Sequence, residues 1–406
     1  MASKNIILIS VDALRWDHLS CFGYENISTP AIDEIAAGGV LYENCMTASC
    51  LTPVSMASVL TAKYPNKHGL SNPFKKIQTT SMTEIIKAKG YRTAGFTGIN
   101  FLSRRCNFHK GFDSFKEPQE GWHHKKYKGA KGEELVTNWG YWWVPEYLDW
   151  IEKNLDSNFF IWGHYFECHV HAEEWLLSEG KIKSGELSEN WYYDAKIKYM
   201  DENLFRPLLE LLKRKGIFED TMIVIMSDHG ETFNEHPHKE EYPQHRTMYN
   251  SDLRSTLIIR DGLATGKKVK NLVRTIDVAP TILEQIFHEK IPDADGKSLV
   301  DLNDEDRIAY SEEMYEKRGA GSLQAIQDGN CKLIRNNTLN TEEFYDLTAD
   351  YMEKNNIINE RGKSEVACAF RKELDRLKEN RISEKEIVGD EEAIIIERLK
   401  NLGYIE

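Results

Sequence analysis

The chain has no excess of basic residues: 52 Lys and Arg face 65 Asp and Glu, for a formal net charge of −13. That excludes general binding to nucleic acid or to an anionic membrane, both of which need a basic surface. A local cluster of positive groups can still hold a small anion. No window holds the roughly 18 apolar residues of a membrane span. Ile6 to Val11 are apolar but too few for a signal segment, and Asp12 and Arg15 follow at once, so no signal peptide is expected. Cysteine is scarce: seven residues, at 21, 45, 50, 106, 168, 331 and 368, odd in number and without a C-x-x-C pair. Free thiols in a reducing cytoplasm are the expectation. Internal repeats and low-complexity tracts are missing too. What is present is an ordinary globular composition, 41% hydrophobic and 29% charged over 406 residues, enough for a sizeable core.

Ile6-Ile7-Leu8-Ile9 is a continuous apolar run ending in Ser-Val-Asp, the pattern of a buried parallel strand with a polar residue at its carboxyl end. The pattern recurs where Phe159 to Trp162 runs into Gly163-His164, and where Met222 to Met226 runs into Ser227-Asp228-His229-Gly230. Helical patterns over Met82 to Lys89, Val144 to Leu155 and Tyr193 to Lys215 separate these strands. The alternation predicts an α/β sheet covered by helices on both faces. Ligands of such sheets gather beyond the carboxyl ends of the strands, where Asp12, His164 and Asp228 all fall.

Beyond about residue 300 the pattern changes. Short strands are expected at Leu323 to Gln327, Lys332 to Arg335 and Phe344 to Leu347, followed by charged helices at Glu365 to Lys378 and Glu391 to Leu402. The expected organisation is a large α/β domain over 1–300, with an aromatic excursion at 116–143, and a small α+β subdomain over 301–406.

Two local signals carry chemistry. The adjacent Asp228 and His229 offer a carboxylate oxygen and an imidazole nitrogen after a buried strand, and Gly230 lets the backbone turn beside them. With Asp12 at another strand end they read as a metal site. The second signal is Thr52-Pro53 before an amphipathic helix. Thr52 reads either as a helix N-cap or as a hydroxyl whose alkoxide is favoured at a helix N-terminus beside a divalent ion.

Several stretches together resemble the sulfatase family of the alkaline phosphatase superfamily. They are N-I-I-L-I-S-V-D-A-L-R-W-D-H-L-S-C-F-G-Y, T-P-V-S-M-A-S-V-L-T-A-K-Y-P-N-K-H-G, G-Y-R-T-A-G-F, S-D-H-G-E-T-F-N-E-H and T-I-D-V-A-P-T-I-L, with Phe344-Tyr345-Asp346-Leu347 near the end. The resemblance spans nearly the whole chain in the family's order. It implies an alkaline phosphatase-like, mixed but mostly parallel sheet and a hydrolase acting on a small anionic ester. It implies one divalent ion, among Mn2+, Zn2+, Ca2+ and Mg2+, bound by Asp12, Asp228 and His229, with Thr52 bridging to it as nucleophile. A histidine ligand and a lone Asp12 tilt the choice toward Mn2+ or Zn2+. His169 matches a residue that contacts the ester or leaving group, His245 one that holds the transferred group, and Asn100 lines the same pocket.

The departures matter as much. Many sulfatases carry a second aspartate where this chain has Ala13. Their C-x-P-x-R motif, whose Cys becomes formylglycine, has Thr52 at the Cys position and Met56 at the Arg position. Cys50, two residues earlier, lacks the Pro and Arg. A hydroxyl nucleophile suits phosphorus, because water can hydrolyse a phosphothreonine, whereas a sulfated threonine lacks the exit that formylglycine hydrate provides. The expectation is therefore a phosphodiester, phosphonate or phosphate ester. The alternatives are a sulfuric ester and, third, an inactive binding protein. His164, Glu167, His169 and His171 crowd one stretch; Glu167 and His171, with His245, could hold a second ion, but most of this group reads better as hydrogen bonders behind the site. His236, His238, Arg104 and Arg105 read as surface. No nucleic-acid or membrane partner is expected, and a homo-oligomer is compatible with the sequence.

Overall fold

The structure is a computed structural model. It describes residues 4–118, 143–166, 168, 191–233, 247–261, 266–300, 302, 307–314, 322–389, 391–393 and 395–396, and the backbone of the strands Lys125–Lys128 and Glu134–Thr137. An eight-stranded sheet forms its centre, in the order Lys267–Val269, Val40–Tyr42, Leu257–Arg260, Thr221–Ser227, Asn5–Val11, Phe159–Tyr165, Arg92–Thr97, Ser114–Lys116. Asn5–Val11 lies in the middle, parallel to both neighbours. Only Leu257–Arg260 runs antiparallel to the strands beside it. The sheet is thus mixed and mostly parallel, as expected.

Alternation along the central strands decides which side chains share a face. Ile6, Leu8, Phe160, Trp162, Met222, Val224 and Met226 enter one apolar cluster, with the helices Thr52–Thr61, Met82–Ala88 and Val278–Phe287. Ile7, Ile9, Val11, Ile161, Ile223 and Ile225 enter another, with the helices Pro30–Ala37 and Val144–Lys153 and a long helical segment from Trp191. The next residues on the first face are Ser10 and Asp12, His164, and Asp228. All these polar groups therefore emerge on the side of the helix that begins at Thr52.

The predicted helix Tyr193 to Lys215 is present but changes pitch: Trp191–Met200 and Arg206–Arg214 flank a π-helical turn at Asp201–Phe205. The Asp201 carboxylate accepts hydrogen bonds from the amides of Ala31 and Ile32 at 3.2 and 2.8 Å. It so caps the helix Pro30–Ala37, whose own N-cap residue, Thr29, makes no side-chain cap. Such turns are a recognised local expansion of α-helices.

Near the C-terminus the strands Ala309–Glu313, Leu323–Gln327, Cys331–Asn336 and Thr341–Asp346 form an antiparallel sheet in sequence order. One face packs Tyr310, Ile326, Leu333 and Phe344 against Ala367, Phe370, Leu374 and Leu377 of the helix Glu365–Glu379, and against Ala48 and Tyr64. The other packs Ala325, Ile334 and Tyr345 against Met46, Cys50, Met248 and Leu253. This small sheet therefore grips the segment that leads into Thr52. Of the expected helix Glu391 to Leu402, residues 391–393 and 395–396 are helical and the rest lies outside the described residues. Most of the 116–143 excursion lies outside them too, but Trp143 is buried and donates to the His164 carbonyl at 3.1 Å.

Candidate metal and ester-cleavage site

The strand ends continue their ladder for one residue. The Asp12 amide donates to the Tyr165 carbonyl at 2.8 Å, and the Asp228 amide to the Val11 carbonyl at 3.3 Å. This fixes both carboxylates at one rim. Asp12, Asp228 and His229 each place a ligand atom within 4.8 Å of the others, and all three are buried. The His229 ring nitrogen Nδ1 lies 2.7 Å from the Gly230 carbonyl oxygen. A carbonyl only accepts, so Nδ1 carries a proton and Nε2 faces the carboxylates. Nε2 stands 3.6 Å from Asp12 Oδ1 and 3.5 Å from Asp228 Oδ2.

Asp228 Oδ1 accepts from the amides of Ala13 at 3.0 Å and His229 at 2.9 Å, which leaves Oδ2 directed at the cluster. Among the described residues, Asp12 Oδ1 and Asp228 Oδ2 are buried without a hydrogen-bond partner. Two carboxylates meeting in a core are costly unless a cation joins them. The titration shifts express the same deficit. Burial, and then the Asp228 charge, push the Asp12 carboxyl well above its usual range. Burial works to lower His229, but Asp228 and Asp12 outweigh it and raise the imidazole above its ordinary value. A cation relieves all of this, and two carboxylates with one imidazole are a donor set that divalent ions accept.

Thr52 opens the helix Thr52–Thr61, and the residue in the N-cap position is Leu51. The cap reading of Thr52 is thereby corrected: its hydroxyl leaves the helix backbone alone and meets Asp12 Oδ2 at 3.2 Å and His229 Nε2 at 3.4 Å. One turn on, the Ser55 hydroxyl donates to the Asp228 carbonyl at 2.7 Å, locking helix and strand end together. Cys50 is directed elsewhere, into the apolar cluster under the C-terminal sheet. Met56 is wholly buried in the core of the large sheet.

Gly230 is required for a different reason than turning. Its φ is not positive, but a Cβ would lie 2.1 Å from the Ser251 carbonyl oxygen, where the Gly230 amide donates to Asp252 at 2.7 Å. Ala13, by contrast, sits at φ 55°, an uncommon place for a residue with a side chain. Its amide is held by Asp228, and its carbonyl accepts from Tyr193 at 2.7 Å.

Asn100 lies just past the strand Arg92–Thr97, at the same rim, with its side-chain oxygen buried and, among the described residues, without a hydrogen-bond partner. His169, His245, Glu167, His171, His236 and His238 fall outside the described residues. Arg104 makes surface contacts with Phe115 and Glu117. Sequence reasoning places His164 at this rim without giving it a role, and it misses two further side chains that the structure brings there, Ser10 and Ser55. Ser10 and His164 share a register position on adjacent strands, and Ser55 follows Thr52 on its helix. Period-two alternation back from Asp12 points to Ser10, and helical spacing from Thr52 points to Ser55.

A family model described as Sulfatase matches residues 4–286, and one described as N-sulphoglucosamine sulphohydrolase, C-terminal, matches residues 239–380. An arylsulfatase of Clostridium perfringens is 25% identical, over 96% of this chain and 95% of its own. Among solved structures, a protein in complex with its substrate D-glucosamine-2-N,6-O-disulfate superposes with a TM-score of 0.74, at 20% identity over 93% of this chain and 98% of that one. A phosphonate monoester hydrolase of Agrobacterium radiobacter does so with a TM-score of 0.71, at 18% identity over 93% and 96%. The fold is thus the alkaline phosphatase-like one, and among the described residues no helix is long and apolar enough to cross a membrane. With a family match over most of its length and carboxylates and imidazole assembled at the strand ends, the chain belongs to the sulfatase family of ester hydrolases.

Proposed function

We propose that this chain hydrolyses a phosphorus-centred anionic ester (a phosphodiester, phosphonate or phosphate ester) with Thr52 as nucleophile and Asp12, Asp228 and His229 as ligands of one divalent ion. The observation that carries the reading is the placement of the Thr52 hydroxyl against Asp12 and His229, where a formylglycine-forming sulfatase has its processed cysteine. A divalent ion bound there supplies positive charge to the nucleophile and to the ester oxygens.

The residues divide the remaining work. Asp12 Oδ2 orients the Thr52 hydroxyl and is the nearest carboxylate to receive its proton. The N-terminus of the helix Thr52–Thr61 favours the alkoxide. Thr52 Oγ1 then bonds to phosphorus while the ester bond to the leaving oxygen breaks, and His169 protonates that oxygen. His245 and Asn100 hold the transferred group. Water next attacks phosphorus as His169 takes its proton, the bond from phosphorus to Thr52 Oγ1 breaks, and Asp12 returns its proton to the Thr52 oxygen.

A second reading, hydrolysis of a sulfuric ester, has a specific support of its own. A relative of similar length is an arylsulfatase, and a structural neighbour was solved with a disulfated sugar. Taken alone, these comparisons favour sulfur over phosphorus, with a phosphonate monoester hydrolase on the other side. The deciding experiment is a panel of aryl sulfate, phosphate monoester, phosphodiester and phosphonate ester, assayed with Mn2+, Zn2+, Ca2+ and Mg2+ on protein whose intact mass has been measured. Faster turnover of a phosphorus ester by unmodified protein supports the first reading. Faster sulfate turnover, with the mass lowered by about 18 Da through oxidation of Cys50, establishes the second.

A further inference from the structure

His164 is wholly buried beside the cluster, and the reading above gives it no task. Its Nε2 lies 3.6 Å from Asp12 Oδ2, the oxygen that faces Thr52, and makes no hydrogen bond within the usual distance among the described residues. Its Nδ1 lies 2.8 Å from Ser10 Oγ. Trp162 Nε1 lies 2.9 Å from the same Ser10 oxygen. The three residues meet because Ser10 pairs with His164 across adjacent parallel strands, and Trp162 precedes His164 by one alternation on the same face.

The proton positions in this chain are decided by what each atom can do. Indole N–H only donates, so Ser10 Oγ accepts from Trp162. Among the described residues the Ser10 hydroxyl proton then has one acceptor in reach, His164 Nδ1. The opposite assignment, with Nδ1 donating to Ser10, leaves a buried hydroxyl proton without an acceptor, which costs about 1–3 kcal/mol. An Nδ1 that accepts forces the ring's single proton onto Nε2, the nitrogen facing Asp12. A protonated Nε2 is also barred from binding metal.

We propose that His164 is a positioning residue: Trp162 and Ser10 hold it in the Nε2–H tautomer, and that N–H aims the Asp12 carboxylate at the metal and at Thr52. This rests on the metal reading of Asp12, Asp228 and His229. Partners of this kind orient ligands, and their loss weakens metal binding by about 10–100-fold.

The test uses the full chain. Nitrogen-15 NMR of histidine-labelled, metal-free protein, with the His164 signal identified by its loss in His164→Gln, reads which nitrogen carries the proton. Mn2+ affinity is then measured for wild type, Asp228→Asn, His164→Gln, His164→Asn and Ser10→Ala. Gln can place an N–H near the position of Nε2, whereas Asn reproduces only the Nδ1 side. The expected result is a proton on Nε2, Mn2+ affinity within about threefold of wild type for His164→Gln, and a loss of about tenfold or more for His164→Asn and Ser10→Ala. A proton on Nδ1, or wild-type affinity in both His164→Asn and Ser10→Ala, overturns the positioning role while the metal site stands. Equal Mn2+ affinity in wild type and Asp228→Asn overturns the metal reading and this proposal with it. Should His164→Asn fail to fold, the tautomer and Ser10→Ala decide.

Discussion

Thr52 Oγ1 lies 3.2 Å from Asp12 Oδ2, although 40 positions separate the two residues in the chain. The first strand supplies one and the first helix on that face of the sheet supplies the other. A cap and a nucleophile respond differently to substitution. Thr52→Ala should lower kcat by about three orders of magnitude or more, with stability kept within about 1 kcal/mol and most metal affinity retained. Thr52→Ser should keep part of the turnover. Steady-state kinetics, thermal unfolding and metal titration check this, and an active Thr52→Ala would remove the nucleophile assignment.

Asp228 and His229 should behave as ligands. Asp228→Asn and His229→Ala are each expected to weaken divalent-ion binding by at least about a hundredfold and to abolish most activity. Stability should divide by metal state. Without metal, Asp228→Asn removes one of two like charges buried together and should unfold at a higher temperature than wild type. With saturating metal the order should reverse. Unfolding curves with and without chelator test both signs.

Cys50 is buried among Met46, Met248, Leu253 and Tyr345. Cys50→Ala should cost about 1 kcal/mol through lost packing and leave turnover intact. The wild-type mass should match the unmodified sequence. An inactive Cys50→Ala beside an active Thr52→Ala would reverse the assignment and make this an enzyme with an atypically matured cysteine.

His68 gives the pH dependence a definite sign. Its Nδ1 accepts the Leu70 amide at 3.1 Å, so Nε2 carries the proton and meets Ser58 Oγ at 2.9 Å. Burial, helped by the charge of Arg381, lowers its pKa to about 3. The unfolded chain binds a proton near pH 6.5 and the folded chain does not, so stability is present above about 6.5 and declines as pH falls toward about 3. His68→Gln should flatten that slope in denaturant titrations run from pH 7 to 4. An unchanged slope would place the acid sensitivity elsewhere.

Lys332 and Glu353 form a fully buried ion pair at 2.7 Å, with Asn250 attached to both members. Lys332→Met should cost about 3–5 kcal/mol, because it leaves Glu353 charged and buried without its partner. Lys332→Met combined with Glu353→Leu should recover much of that loss. Equilibrium unfolding of the single and double variants checks it, and additive losses would argue against coupling.

The three core strands were readable because each is a continuous apolar run ending in a polar residue, as at Ile6 to Asp12 and Met222 to Asp228. The helix Met82–Ala88 carries its own start signal, a reciprocal cap between Ser81 and Glu84. Short strands such as Val40–Tyr42 and Lys267–Val269 had no such signature, since they owe their pairing to neighbours distant in sequence. The π-helical turn at Asp201 was equally hidden, and the helix N-terminus that Asp201 caps lies some 170 positions away.

The sequence by itself determined the fold class, the polar strand ends and the likeness to sulfatases, since periodicity and motif order are local properties of the chain. Only the tertiary structure decided what Thr52, Cys50 and His164 face. Thr52 and Cys50 are neighbours in sequence, yet one turns to the carboxylates and the other into the apolar layer beneath the C-terminal sheet. The reason is that a side chain's partner is set by the element packed opposite it, and here those elements are the ends of the strands Asn5–Val11 and Thr221–Ser227, the second about 170 residues later, and a sheet that begins at Ala309.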